Sequence, residues 1–212
     1  MTRRYWVALG AFLLVAAATW VHPQWPVEQA LHHSLTLVGL VALVWTQHRL
    51  RMPFSSFVLI LIFLAVHTVA ARWSYSFVPY DDWSQALFGA RLSDVFGWRR
   101  NHFDRLVHLV YGACLAPVLW RLAVDRLHWR RGWAALAAVD VVLSTGALYE
   151  LFEWGTALVL APGMAEAYNG QQGDMFDPHK DMAIAVVGAL LSLAITLAFS
   201  RRPASPRPPD VS

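Results

Sequence analysis

The chain has 212 residues, of which 57% are hydrophobic and only 15% charged, with a mean hydropathy of +0.42. Ordinary soluble domains carry about 25% charged residues, so a soluble globular domain is excluded and one domain lying largely within a bilayer is indicated. The formal net charge is +3 and no basic stripe interleaves with aromatics, which argues against nucleic acid as a partner, while the single cysteine, Cys114, rules out an intrachain disulfide.

The N-terminus, "MTRRYWVALGAFLLVAAATW", has the basic start and apolar run of a signal peptide. No small-x-small cleavage site precedes a hydrophilic domain, and a second apolar segment follows, so the reading is an uncleaved first helix. A spanning helix needs about 20 mostly apolar residues. Six candidates follow in order: residues 5–21, 31–47, 54–71, 103–122, 133–160 and 181–199. The expected fold is all-α, a six-helix transmembrane domain over 1–200. The Pro-rich tail "RRPASPRPPDVS" (201–212) is expected to be disordered.

Charge orients the bundle. With the N-terminus inside, the inner segments hold Arg3, Arg4, Arg49, Arg51, Arg121, Arg126, Arg130, Arg131, Arg201, Arg202 and Arg207. The outer ones hold only Arg72, Arg91, Arg99, Arg100, Arg105 and Lys180. This bias predicts N-in/C-in topology. The long outer connection, 72–102, contains "DDWSQALFGARLSDVF". Trp83, Ala86, Leu87, Ala90 and Phe96 follow helical spacing, and Asp81 or Asp82 suits an N-cap. The segment reads as a short helix on the outer membrane surface or, equally, as an ordered loop packed on the bundle.

Depth, rather than sequence position, exposes a candidate site. Asp104 and His108 (i, i+4) share a face at the outer start of the fourth span. Glu150 and Glu153 (i, i+3) share a face at the outer end of the fifth. Asp177 and Asp181 (i, i+4), with Asp174 one turn before, open the sixth, where Pro178 fits the first turn. The third span ends there with His67, Arg72 and Tyr75. The inner half is bare apart from Asp140, which is expected to pair with a polar group or an inner-side arginine. Crowded carboxylates repel, so arginines, shared protons or a metal ion must offset them.

Each piece also has a plain explanation. Acids suit helix N-termini, His67 suits a hydrogen-bonded structural role, and Glu150 and Glu153 suit ion pairs with Arg105 and Arg72. What capping does not explain is why His108 and Glu150 lie inside the helix ends. Small residues at Gly112, Gly146 and Gly188 suit close helix contact.

These same stretches carry a resemblance. "HTVAARWSYSFVP" (67–79), "RNHFDRLVHLVYG" (100–112), "ALYELFEW" (147–154) and "GQQGDMFDPHKDM" (170–182) resemble the bacterial YjdF-type inner membrane proteins over most of the chain. That resemblance implies six spans and brings no activity. The family's usual Thr–Gln before Gly–Asp reads Gln171–Gln172 here, and its usual Tyr–Thr–Tyr reads Trp73–Ser74–Tyr75. A weaker resemblance is to VanZ-like membrane proteins: Asp104–Arg105-x-x-His108, Glu150, and Asp177/Asp181 with Gly188 follow the same order, with Arg where that family has Lys. It implies a shared four-helix core and a role at the cell envelope.

Three functions compete. The first is an enzyme. Asp104, His108, Glu150, Asp177 and Asp181 would hold a divalent metal such as Zn or Mg. Glu153, Glu150 and Asp104 would act in acid–base chemistry, and Arg105, Tyr75 and Arg72 would contact the substrate, an envelope lipid or isoprenoid. The second is a proton-coupled or small-solute transporter, since intramembrane Asp, Glu and His chains mark such pathways. The third is an accessory protein whose ion pairs fix helix register. Membrane lipid is the one partner the sequence implies; oligomeric state is open.

Overall fold

The structure is a computed structural model describing residues 1–160 and 172–200. The expected disordered tail, 201–212, lies outside the described residues, as does Gln171 of the 170–182 motif. Among the described residues there are eight helices and no strand: α1 (Arg3–Thr19), α2 (Pro26–Leu50), α3 (Phe54–Arg72), α4 (Tyr80–Phe88), α5 (Leu92–Phe96), α6 (Phe103–Arg126), α7 (Arg131–Leu160) and α8 (Asp177–Ser200). Five of them, α2, α3, α6, α7 and α8, are long and apolar enough to cross a membrane. The first expected span is α1, an apolar helix of 17 residues that falls short of the usual spanning length.

Helix starts lie earlier than apolarity alone suggests. α2 begins at Pro26 with Glu28 in its first turn, and α8 begins at Asp177 with Pro178 second. Proline needs no N–H there, and acids suit the positive end of the helix dipole. Polar first turns therefore extend helices beyond their apolar runs.

The expected surface helix is two helices. Gly89 adopts φ +74° and its N–H closes on the Gln85 carbonyl, ending α4. Asp81 sits in the first turn of α4 but caps the next helix: its Oδ1 accepts from the Ser93 N–H of α5 at 2.9 Å. Burial pushes the Asp81 pKa up, but its hydrogen bonding with Ser93 and the Arg91 charge 3.6 Å away outweigh this and hold it below the ordinary carboxylate value. A depressed pKa means a contribution present above about pH 4 and lost as pH falls through the lower folded value. Asp81→Ala is expected to lower hydrogen-exchange protection over 92–98 about fivefold at pH 7, the equivalent of a lost cap of ~1 kcal/mol. The difference from wild type should shrink below pH 4.

The long helices form two groups joined through α3 and α6. In the first, Tyr5, Leu9 and Phe12 of α1 pack against Phe57, Leu61 and Leu64 of α3. Tyr5 Oη donates to the Met52 carbonyl at 2.8 Å, and its ring meets Phe54 and Phe57 edge-on. In the second, α6, α7 and α8 meet through small residues: Ala116 and Ala123, Ala134 and Ala138, Ala185 and Ala189. Apolar side chains gain little from leaving lipid for a protein neighbour, so close backbone packing has to hold such a bundle together. α6 and α8 make the most extensive contact, and this interface positions the candidate site.

Candidate functional site

Polar side chains from α3, α6, α7 and α8 converge at one end of the bundle, as the depth argument anticipates. They fall into three connected groups.

The first is a clamp on the start of α8. Arg105 of α6 is buried, and one guanidinium nitrogen contacts Asp177 Oδ1 while the other contacts Asp181 Oδ2. Its Nη1 also donates to the Asp177 carbonyl at 3.1 Å, and Nη2 lies 3.5 Å from Asp174 Oδ2. Arg100 adds a second cation, its Nη1 2.5 Å from Asp177 Oδ1. Lys180 bonds Asp174 at 2.6 Å. That bond chiefly, aided by the Phe176 N–H, holds the Asp174 pKa below the ordinary carboxylate value. Asn101 braces this end: its N–H donates to Gln172 Oε1 at 2.9 Å, its Nδ2 to the Val78 carbonyl at 2.8 Å, and its Oδ1 accepts from the Phe103 N–H. His102, beside the clamp, has its pKa pushed down by burial first and then by Arg100 and Arg105.

The second group is a carboxylate–histidine cluster immediately below. Asp104, His108 and Asp181 are all buried, and one ligand-type atom from each lies within 4.8 Å of the others. His108 Nε2 stands 3.5 Å from Asp104 Oδ1 and 3.5 Å from Glu150 Oε1. Those separations are long for strong charge-assisted hydrogen bonds, which run about 2.7–2.9 Å. They match the about 3–3.5 Å between donor atoms that share an ion at about 2.1 Å. Asp181 Oδ1 and Glu150 Oε1 are buried without a hydrogen-bond partner. Among the described residues no Arg or Lys pairs with Glu150 or with the buried Glu153. Gly112 and Gly188 hold α6 and α8 together: a Cβ on Gly112 would lie 1.8 Å from the Ala185 carbonyl oxygen, and one on Gly188 2.2 Å from that of Leu109.

The third group links α2, α3 and α7. Tyr75 hydrogen-bonds His67 Nδ1, and His67 Nε2 donates to the His32 carbonyl at 3.3 Å. The His32 and Tyr75 rings are 4.8 Å apart. Tyr75 reaches back because Ser74 and Tyr75 both take left-handed backbone, φ +45° and +57°, an unfavourable conformation offset by the bond to His67. Tyr149 of α7 stands between this group and Glu153, facing Tyr75 and Glu153 without a well-formed hydrogen bond to either.

A cavity of ≈ 340 Å³ opens between α7 and α8, walled by Ala147, Leu151, Trp154 and Met182, with Glu150 and Glu153 at its polar end. Leu151 and Trp154 are exposed on the outside of the bundle, so the opening faces lipid.

Among the residues picked from sequence, Asp104, His108, Asp181 and Glu150 come together. Asp177 faces the arginines instead of His108. Arg105 directs its donors to α8, leaving the two α7 glutamates without a guanidinium. Arg72 lies elsewhere: its Nη1 donates to the Thr19 carbonyl at 2.5 Å and the Val21 carbonyl at 2.9 Å, tying off the end of α1. Gln29 Nε2 shares the Thr19 carbonyl at 3.0 Å. Sequence reasoning passed over Arg100, Asn101, His32 and Tyr149. The first two adjoin Asp104 in "RRNHFDR", and Tyr149 adjoins Glu150, so proximity to a selected residue was an available signal; His32 carried none.

A bundle of apolar helices closing around buried carboxylates, histidine and arginine defines a multi-pass helical membrane protein. More particularly, the chain belongs to the family described as predicted membrane protein (DUF2238), whose model matches residues 4–202. It is 32% identical over 155 residues to the inner membrane protein YjdF of Escherichia coli (strain K12), covering 72% of this chain and 70% of that one. No solved structure matches the chain. The YjdF-type resemblance read from its motifs is thereby borne out, as is its place in the inner membrane.

Proposed function

We propose that the chain is a divalent-metal-dependent enzyme acting on an envelope lipid or isoprenoid at the outer membrane face, with six spans and both termini inside. The arginine bias of the inner segments supports that orientation. One observation carries the enzymatic reading. Asp104, His108 and Asp181 each offer a ligand-type atom within 4.8 Å of the other two, Asp181 keeps an unpartnered Oδ1, and Glu150 Oε1 stands 3.5 Å from His108 Nε2 at the edge of the group. Imidazole plus carboxylate is a donor set that suits Zn and, with fewer nitrogen ligands, Mg. Asp104, His108, Asp181 and Glu150 would hold the ion. A bound ion would supply Lewis acidity toward a phosphoryl or carbonyl oxygen. Glu153, at the wall of the lipid-facing cavity, is placed to accept a proton from water or a substrate hydroxyl. The cavity's apolar wall suits an acyl or prenyl chain entering sideways.

The test is elemental analysis of detergent-purified protein beside Asp104→Asn and His108→Ala. About one divalent ion per chain, at least tenfold depleted in variants that elute and melt as folded protein, is the expected result. No ion in wild type purified with added Zn or Mg would transfer the cluster to a structural role alongside the Arg105 clamp. A proton-coupled carrier is the second reading, favoured by the run of polar groups from His32 and His67 through Tyr75 and Tyr149 to Glu153. Proton flux in proteoliposomes, abolished by Glu153→Gln, would select it.

A further inference from the structure

Asp140 has no partner among the described residues. Expected to meet a polar group or an inner arginine, it is exposed on α7 with no hydrogen bond or ion pair among the described residues. It lies nine residues beyond Arg131, so about 13 Å along the helix axis. A bilayer core is about 30 Å thick, which puts this carboxyl near mid-depth, too deep for so short a side chain to reach water. The buried face of α7 is Ala134, Ala138 and Val142, seated against α6 and α8. At about 100° per residue, Asp140 is on the opposite side of the helix. Ser144, one turn on, is also exposed, and its hydroxyl makes no hydrogen bond among the described residues. The same side carries exposed Trp133, Leu136 and Leu143. An intramembrane ionisable group facing lipid alone is disfavoured and marks a contact.

We propose that this face of α7 pairs with the same face of a second copy about a two-fold axis along the membrane normal. Copies inserted the same way present their α7 helices in parallel. The Asp140 carboxyl of each then accepts from the partner subunit's Ser144 hydroxyl, giving two symmetric bonds in an isologous contact. The chain already carries the matching donor one turn from the acceptor; a different polypeptide would have to supply a donor at that depth. Leu136 and Leu143 flank the pair and exclude lipid from it.

The experiment uses the full chain in a Cys114→Ala background, which removes the only native thiol. Leu136→Cys leaves Asp140 and Ser144 intact, and Leu190→Cys, exposed on α8, is the control. In liposomes under mild oxidation, Leu136→Cys is expected to give a disulfide-linked dimer at least tenfold more abundant than Leu190→Cys. Asp140→Leu with Ser144→Leu should then lower dimerisation, read by energy transfer on dilution into lipid, at least tenfold without changing the thermal midpoint of the monomer in detergent. Equal cross-linking at the two cysteines overturns the proposal. So does a dimer indifferent to the leucine pair, and so does cross-linking in native membranes to another polypeptide in place of itself.

Discussion

Arg105→Ala is expected to cost about 3–5 kcal/mol, enough to abolish recovery of folded protein in mild detergent. Its guanidinium is the shared counter-ion of two acids, Asp177 and Asp181, whose residues are only 1% and 2% exposed. Truncating one partner of a buried ion pair leaves the other charge uncompensated, and that penalty exceeds the net worth of the intact pair. Arg100 remains on Asp177, but Asp181 loses its cation. Arg105→Lys should recover little, because an ammonium is a point charge and cannot bridge two carboxylates and a carbonyl in one plane. Asp181→Asn in the Arg105→Ala background should regain part of the loss, since it removes the stranded charge. Thermal unfolding monitored by size-exclusion elution checks all three. A wild-type midpoint in Arg105→Ala would show that water, not Arg105, satisfies the two acids.

How much of this was legible in the chain depends on which side of an interface a residue sits. Helical periodicity is local, so the sharing of a face by Asp104 and His108, and by Asp177 and Asp181, could be read directly. Their convergence followed from span order and polarity at a common depth. What periodicity does not carry is the rotation of one helix against another. Rotation decided that Arg105 meets Asp177 and Asp181 of α8 instead of Glu150 and Glu153, and that Arg72 turns to the end of α1. It also decided that Asp140 faces outward. The surface segment shows the same limit at shorter range: apolar spacing runs through Gly89, while the turn at that residue makes two helices. His32 was invisible for another reason. Its contact is largely through its backbone carbonyl and its ring against Tyr75, and no pattern in α2 announces either.

The site's geometry rests on two glycines, and Gly112→Val is the second substitution expected to be severe. On Gly112 even a single Cβ would overlap the Ala185 carbonyl oxygen at 1.8 Å and its carbon at 2.7 Å, both fixed backbone atoms of α8. No rotamer relieves that contact, so α6 and α8 must separate. Overpacking usually costs 1–3 kcal/mol where side chains can shift; here nothing can, and about 3 kcal/mol or more is expected. Gly146→Ala is the matched control. A Cβ there meets nothing within 4 Å, and removing a mid-helix glycine should be neutral or stabilising by ~0.5–1 kcal/mol. The consequence extends to the cluster, because His108 is one turn before Gly112 and Asp181 one turn before Ala185. Parting these backbones moves Asp181 away from Asp104 and His108, whose donor atoms now fit within 4.8 Å. Gly112→Val should therefore lower both the unfolding midpoint and any divalent-ion content, while Gly146→Ala lowers neither. Thermal unfolding and elemental analysis on the same preparations read the two effects together. A Gly112→Val protein with wild-type stability would mean that α6 and α8 do not touch through this pair, and the placement of Asp181 beside His108 would fall with it.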